Sequence, residues 1–153
     1  MDNEITQLID ESIKLELSAA DLYRIFSEAF PEDSNFWREL YLEEKRHATL
    51  IKNGKNILYE FPREILPPRL QELLRACNKL ISLVKKYKET PPSKESAFKV
   101  ALSLEESVGE AHYQHAMENL PSSNILELFQ ELNDGCKDHA LRIRNYMINN
   151  RIQ

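Results

Sequence analysis

The sequence predicts an all-α protein, a bundle of four long helices arranged as two antiparallel hairpins joined by a crossover with a helix of its own. Three observations lead there. Apolar residues recur at i, i+3, i+4 and i+7 along almost all of the 153 residues. Only 3 glycines are present, too few for the tight turns of a sheet of hairpins. Breakers gather between the periodic stretches, sparsely twice and over one long stretch in the middle of the chain.

The first helix spans about Glu4 to Ala29, with a stripe of Ile5, Ile9, Ile13, Ala20, Tyr23 and Phe30 that Pro31 closes. A second starts at Asp33 or Ser34, both good N-caps, carries Trp37, Leu40, Tyr41, Ala48 and Ile51, and stops at Gly54. The connection that follows holds Pro62, Pro67 and Pro68. Its helix, Pro68 to Lys88, aligns Leu70, Leu73, Leu74, Cys77, Leu80, Ile81 and Val84, so Cys77 reads as a buried small hydrophobe. After Pro91 and Pro92 the third long helix runs from Ser93 to Asn119, with Phe98, Ala101, Leu102, Val108, Gly109 and Ala116 inward, and Pro121 ends it. The fourth opens on a capping box, Asn124-Ile125-Leu126-Glu127, and carries Leu128, Phe129, Leu132, Ala140, Ile143 and Met147. Two short-linked hairpins with one long crossover make a ferritin-like topology; an up-down-up-down bundle with a fifth helix outside is the alternative.

The length fits one domain, 1–153. A net charge of −5 gives no general basic surface for nucleic acid or an anionic membrane, and Lys85, Lys86 and Lys88 read as a solvated helix face. The acidic start, Met1-Asp2-Asn3-Glu4, is unlike a signal peptide, and no apolar run approaches the ~18 residues of a membrane span. Cys77 and Cys136 form no CxxC pair, so a soluble cytoplasmic protein with reduced thiols is expected. Neither a phosphate-binding glycine loop nor the spacing of a nucleophilic triad is found.

An internal repeat supports the hairpins. Laying Glu44–Asn53 on Cys136–Asn145 pairs Lys45, His47, Ala48, Ile51 and Asn53 with identical residues. Glu39-Leu40 falls on Glu131-Leu132, and Leu15-Glu16 resembles Leu104-Glu105. A duplicated helix hairpin explains these matches.

Polar residues interrupt each apolar stripe near the middle of its helix: Glu16 on the first, Glu44 and His47 on the second, Glu105 on the third, Cys136 and His139 on the fourth. In a bundle these midpoints lie at one level. Buried carboxylates need a cation, and no Lys or Arg shares the stripes at that level. A metal ion meets the need: residues at i and i+3 share a helix face, and mixed carboxylate and imidazole donors suit iron, manganese or zinc. His112 lies seven residues beyond Glu105, about 10.5 Å of helix rise, too far to share its ion, and reads as a core or pocket-lining histidine. Tyr23 stands seven residues beyond Glu16, as core or as a hydrogen-bond donor to a ligand.

On Glu16 with Tyr23, Leu42-Glu-Glu-Lys-Arg-His47-Ala48, Ala101-Leu-Ser-Leu-Glu105 and Lys137-Asp-His139-Ala140, the chain resembles the rubrerythrin branch of the ferritin-like superfamily. The resemblance implies two irons, one glutamate each from the first and third helices, and an E-x-x-H from the second and fourth. It further implies peroxide reduction by ferrous iron and a homodimer. The implied ligands here are Glu16, Glu44, His47, Glu105 and His139. At the sixth position Cys136 stands where the family has a bridging glutamate. A thiolate there favours zinc, and beside peroxide-reactive iron it is open to oxidation. The rubredoxin-like domain with paired CxxC motifs is missing from this sequence, so turnover requires a separate electron-donor protein. Three functions stay open: a peroxide-reducing oxidoreductase, a non-catalytic protein holding one ion through Glu44, His47, Glu105 and His139, and a metal-free bundle serving as a structural or interaction module.

Overall fold

The structure, a computed structural model, describes residues 3–56, 66–107, 130 and 138–153. Among them there is no strand, and the regular elements are α1 (Asn3–Ala29), α2 (Ser34–Gly54), α3 (Leu70–Glu89), α4 (Lys94–Glu105) and α5 (His139–Asn149). A single 3-10 turn, Pro31–Asp33, joins α1 to α2. No helix among the described residues is long and apolar enough to cross a membrane.

Helix directions follow from which residues meet. Phe26 of α1 lies against Trp37 of α2, Glu16 against His47, and Asp10 against Lys55 just beyond α2, so α1 and α2 are antiparallel. Phe98 of α4 stacks with Tyr146 of α5 while Glu105 faces His139, which makes a second antiparallel pair. Between the pairs, Trp37 meets Phe98 and His139 contacts both Glu44 and Glu105, so α2 and α4 run the same way. Helix α3 lies along α1: Cys77 Sγ donates to the Glu11 carbonyl at 3.3 Å, and Tyr87 reaches Phe26.

The same directions are encoded in an aromatic layer. Tyr23 follows Glu16 by seven residues and Tyr146 follows His139 by seven, whereas Trp37 precedes Glu44 and Phe98 precedes Glu105 by the same interval. Seven residues are two helical turns, about 10.5 Å. One aromatic residue from each of four helices therefore lies at one level above the polar residues. Ring centroids of Tyr23 and Trp37 are 5.7 Å apart, those of Trp37 and Phe98 4.5 Å, and those of Phe98 and Tyr146 5.6 Å. Trp37 and Phe98 are fully buried.

Burial on α1 exceeds the predicted stripe. Leu8, Leu15, Ala19, Leu22 and Phe26 are buried as well, because α3 covers a second side of this helix. Leu73, Cys77, Leu80, Val84 and Tyr87 form the covering face. Ile81, expected inward, lies on the outer flank of α3 and is 39% exposed.

Two helix ends depart from expectation. Helix α4 closes at Glu105: Glu106 N–H still bonds to Leu102, but Ser107 N–H bonds to Leu104, the tighter i−3 pattern of a terminus. The helix predicted to run on from Ser93 thus closes at Glu105, just before Ser107, a weak helix former; the rest of the predicted stretch to Asn119 lies outside the described residues. Helix α5 begins only at His139, because Asp138 adopts non-helical angles and its carboxylate caps the Leu141 N–H at 3.1 Å. Where the sequence predicts one fourth helix running through Cys136 and His139, the described part of it starts at His139. Cys136, His112 and the capping box at Asn124 lie outside the described residues.

Asp33 is placed as predicted at the N-cap of α2 but makes no capping bond. Its carboxylate accepts from the Tyr146 hydroxyl at 2.7 Å and pairs with Lys94 at 2.9 Å.

Two measurements check this core. Trp37→Ala should cost about 3–5 kcal/mol in urea unfolding, since a fully buried indole is removed from the centre of the aromatic layer. The Cys77 thiol, pushed up to about 12 by burial and then by the Glu11 charge, should label with a thiol reagent only as the protein unfolds.

Candidate metal centre

Five of the residues singled out from the sequence come together between α1, α2, α4 and α5. Glu16, Glu44, His47, Glu105 and His139 are each at most 3% exposed. They form two groups of potential ligands sharing Glu44: Glu16, Glu44 and His47, and Glu44, Glu105 and His139. Within each group one donor atom per residue lies within 4.8 Å of the others.

Glu44 divides its oxygens between the groups. Its Oε2 is 3.3 Å from His47 Nδ1, and its Oε1 is 2.8 Å from His139 Nδ1. Glu16 Oε2 lies 3.4 Å from His47 Nδ1 on one side, and Glu105 Oε2 lies 3.3 Å from His139 Nδ1 on the other. The imidazoles are nearly parallel, tilted by 12° with centroids 5.6 Å apart. Helical periodicity sets this up: Glu44 and His47 are one turn apart on one face of α2, so their side chains point into the same space.

Several of these atoms have no conventional partner. Glu16 Oε2, both Glu44 oxygens, Glu105 Oε2 and His139 Nδ1 are buried and make no well-formed hydrogen bond among the described residues. They face one another instead. Burying a carboxylate without a compensating partner costs several kcal/mol, so convergence of three has to be offset.

Without an ion, protons offset it. Burial, then the charge on Glu44, holds the Glu16 carboxyl well above the usual range. Burial raises Glu105 as well. Burial also acts to raise Glu44, but the charge of His139 together with hydrogen bonding to Glu16, His139 and His47 outweighs it and holds Glu44 well below the usual range. For His139 burial acts to lower the pKa, and the charges of Glu105 and Glu44 reverse it, leaving the ring well above its ordinary value. The ion-free cluster thus holds protons more tightly at Glu16 and His139, and less tightly at Glu44, than the free side chains do.

Two further side chains hold the cluster from outside. The Tyr23 hydroxyl donates to Glu105 Oε1, leaving Oε2 toward His139. Glu43, not singled out from the sequence, contacts His139 Nε2 at 2.5 Å and accepts from Arg142 Nη1 at 2.6 Å. One signal for it was present: Arg142 follows His139 by three residues on α5, and Glu43 precedes Glu44 on α2. No histidine or cysteine beyond His47 and His139 joins the cluster among the described residues.

No family model, curated protein or solved structure matches this chain.

The proton inventory makes stability depend on pH. Glu16, Glu105 and His139 have raised pKa values in the folded state, so their contributions are complete below the unfolded values of about 4.5 and 6.5 and are lost as pH rises through the folded ones. Glu44 and Glu43, whose pKa values are lowered, act only at more acidic pH. Metal binding requires the same protons to leave. In chelator-treated protein the melting temperature should therefore fall between pH 5 and 8, and the rise on adding a divalent ion should grow over that interval. Differential scanning calorimetry measures both.

Proposed function

We propose that the chain is a ferritin-like protein with a two-ion carboxylate–histidine centre, acting as a rubrerythrin-type oxidoreductase that reduces peroxide with electrons from a separate donor. The observation that carries this reading is the position of Glu44, which offers one oxygen to each of two buried clusters, as a carboxylate bridging two ions does. The helix directions support it too. Two antiparallel helix pairs in which α2 and α4 run parallel need a long connection from α2 to α4, and α3 lies within it.

The residues fit a metal pair. Buried carboxylate oxygens and an imidazole nitrogen without hydrogen-bond donors are what an ion would occupy. Glu16 and His47 would hold one ion, Glu105 and His139 the other, with Glu44 between. Oxygen and nitrogen donors suit iron, manganese or zinc, and the peroxide reaction requires iron among these. When bound, a ferrous pair supplies the two electrons that, with two protons, convert hydrogen peroxide to water. The chain's own part is to exclude bulk water with the aromatic layer and to keep Tyr23 hydrogen-bonded to Glu105 Oε1. Glu16 and His139 release protons when ions take their places.

A second reading has its own observation. Cys136 stands where the rubrerythrin pattern has a second bridging glutamate, which leaves Glu44 as the single shared carboxylate. That favours a non-catalytic protein binding one ion.

Metal analysis after anaerobic addition of ferrous iron separates the readings. Two ions per chain are expected, with new near-ultraviolet absorption after peroxide and loss of both ions in Glu44→Gln. One ion per chain without that absorption supports the second reading, and recovery of two in Cys136→Glu would locate the defect at that position. No uptake by either protein would sink both.

A further inference from the structure

We infer that Glu43 is a positioning residue for this centre: clamped by Arg142, it holds His139 Nε2 and so keeps Nδ1 aimed at the ion that His139 would share with Glu44 and Glu105. This inference rests on the metal-binding reading above and assigns a role to a carboxylate outside the ligand set.

The geometry is specific. Imidazole has two nitrogens, and only one can face the cluster. His139 Nδ1 lies 2.8 Å from Glu44 and 3.3 Å from Glu105, while Nε2 points the other way, 2.5 Å from Glu43 Oε2. The ring is fully buried, so without Glu43 water would not replace the lost acceptor. An unsatisfied N–H in that position favours rotation of the ring or exchange of the tautomer, and either removes the Nδ1 lone pair from the site. With an acceptor on Nε2 the proton stays there and Nδ1 is left as the donor atom.

Arg142 explains why Glu43 stays outside the cluster. Its Nη1 meets the same Oε2 at 2.6 Å, and its Nη2 lies 3.6 Å from Glu39 Oε2, one turn earlier on α2. His139 and Arg142 project from one face of α5, three residues apart, and grip one carboxylate oxygen between them. Glu43 is 18% exposed and Arg142 21%, so the pair is shielded enough to be directional. Glu39 is 70% exposed and adds little.

Cobalt(II) is a suitable probe, because its visible absorption reports ligand number and geometry. Glu43→Leu removes the acceptor, and Glu43→Gln keeps an amide oxygen of the same reach. In the full chain, Glu43→Leu should bind cobalt ~10–100-fold more weakly, with an altered visible spectrum, while Glu43→Gln stays much closer to wild type. Nitrogen-15 NMR of metal-free protein supplies a second readout. A hydrogen-bonded Nε2 proton of His139 should be seen in wild type and Glu43→Gln and be lost in Glu43→Leu. Wild-type affinity and spectrum in Glu43→Leu would overturn the inference while leaving the metal centre standing. Equal weakening in both variants, tracking a fall in melting temperature, would also overturn it, by reducing Glu43 to a structural ion pair. A wild-type protein that takes up no cobalt overturns the centre itself, and the positioning role with it.

Discussion

A carboxylate taken out of water has to be met by a proton, a cation or a metal ion, and three of them converge at one level between four helices here. Much of the surrounding structure answers that demand. Each histidine approaches a different oxygen of Glu44, Tyr23 satisfies the far oxygen of Glu105, and Glu43 supports His139 from behind. Removing one member leaves the others with an uncompensated buried charge, which costs more than the member's own contact contributes. The cluster therefore acts as one electrostatic unit.

The level at which these groups meet is set elsewhere, by apolar packing two turns away. Tyr23, Trp37, Phe98 and Tyr146 each sit seven residues from a cluster residue on their own helix. Once those rings interlock, helix rise alone places Glu16, Glu44, Glu105 and His139 opposite one another. Large rigid side chains with few rotamers suit this work, because a slip of one helix by a single residue would move a carboxylate by about 1.5 Å and rotate it by roughly 100°.

Much of this could be read in the sequence, and the reasons are local. Glu16, Glu44, Glu105 and His139 showed themselves as polar residues in phase with Ile9, Leu40, Ala101 and Ile143, and periodicity carries that phase reliably along an unbroken helix. It fails where a helix stops. Apolar spacing on both sides of Asp138 suggested continuity, but a carboxylate that captures the Leu141 N–H competes with the helix more strongly than the pattern reveals. Glu43 was missed for a different reason. It lies at the edge of its stripe, and its significance depends on α5 lying beside α2, a tertiary fact that no spacing along α2 contains. Ile81 errs in the opposite sense: a residue flanking a good stripe stays half in solvent when only one neighbour covers the helix.

Asp33 gives up its capping bond to reach Lys94 and Tyr146, and so ties the corner between α1 and α2 to the start of α4 and the far part of α5. One side chain thus links three separate stretches of chain across the end of the bundle. Fraying of the first turn of α2 would loosen the grip on Tyr146, and parting of the two helix pairs would strand a buried carboxylate. Local opening and global opening become the same event at that corner, so this end of the molecule should melt as a single cooperative block rather than peel helix by helix.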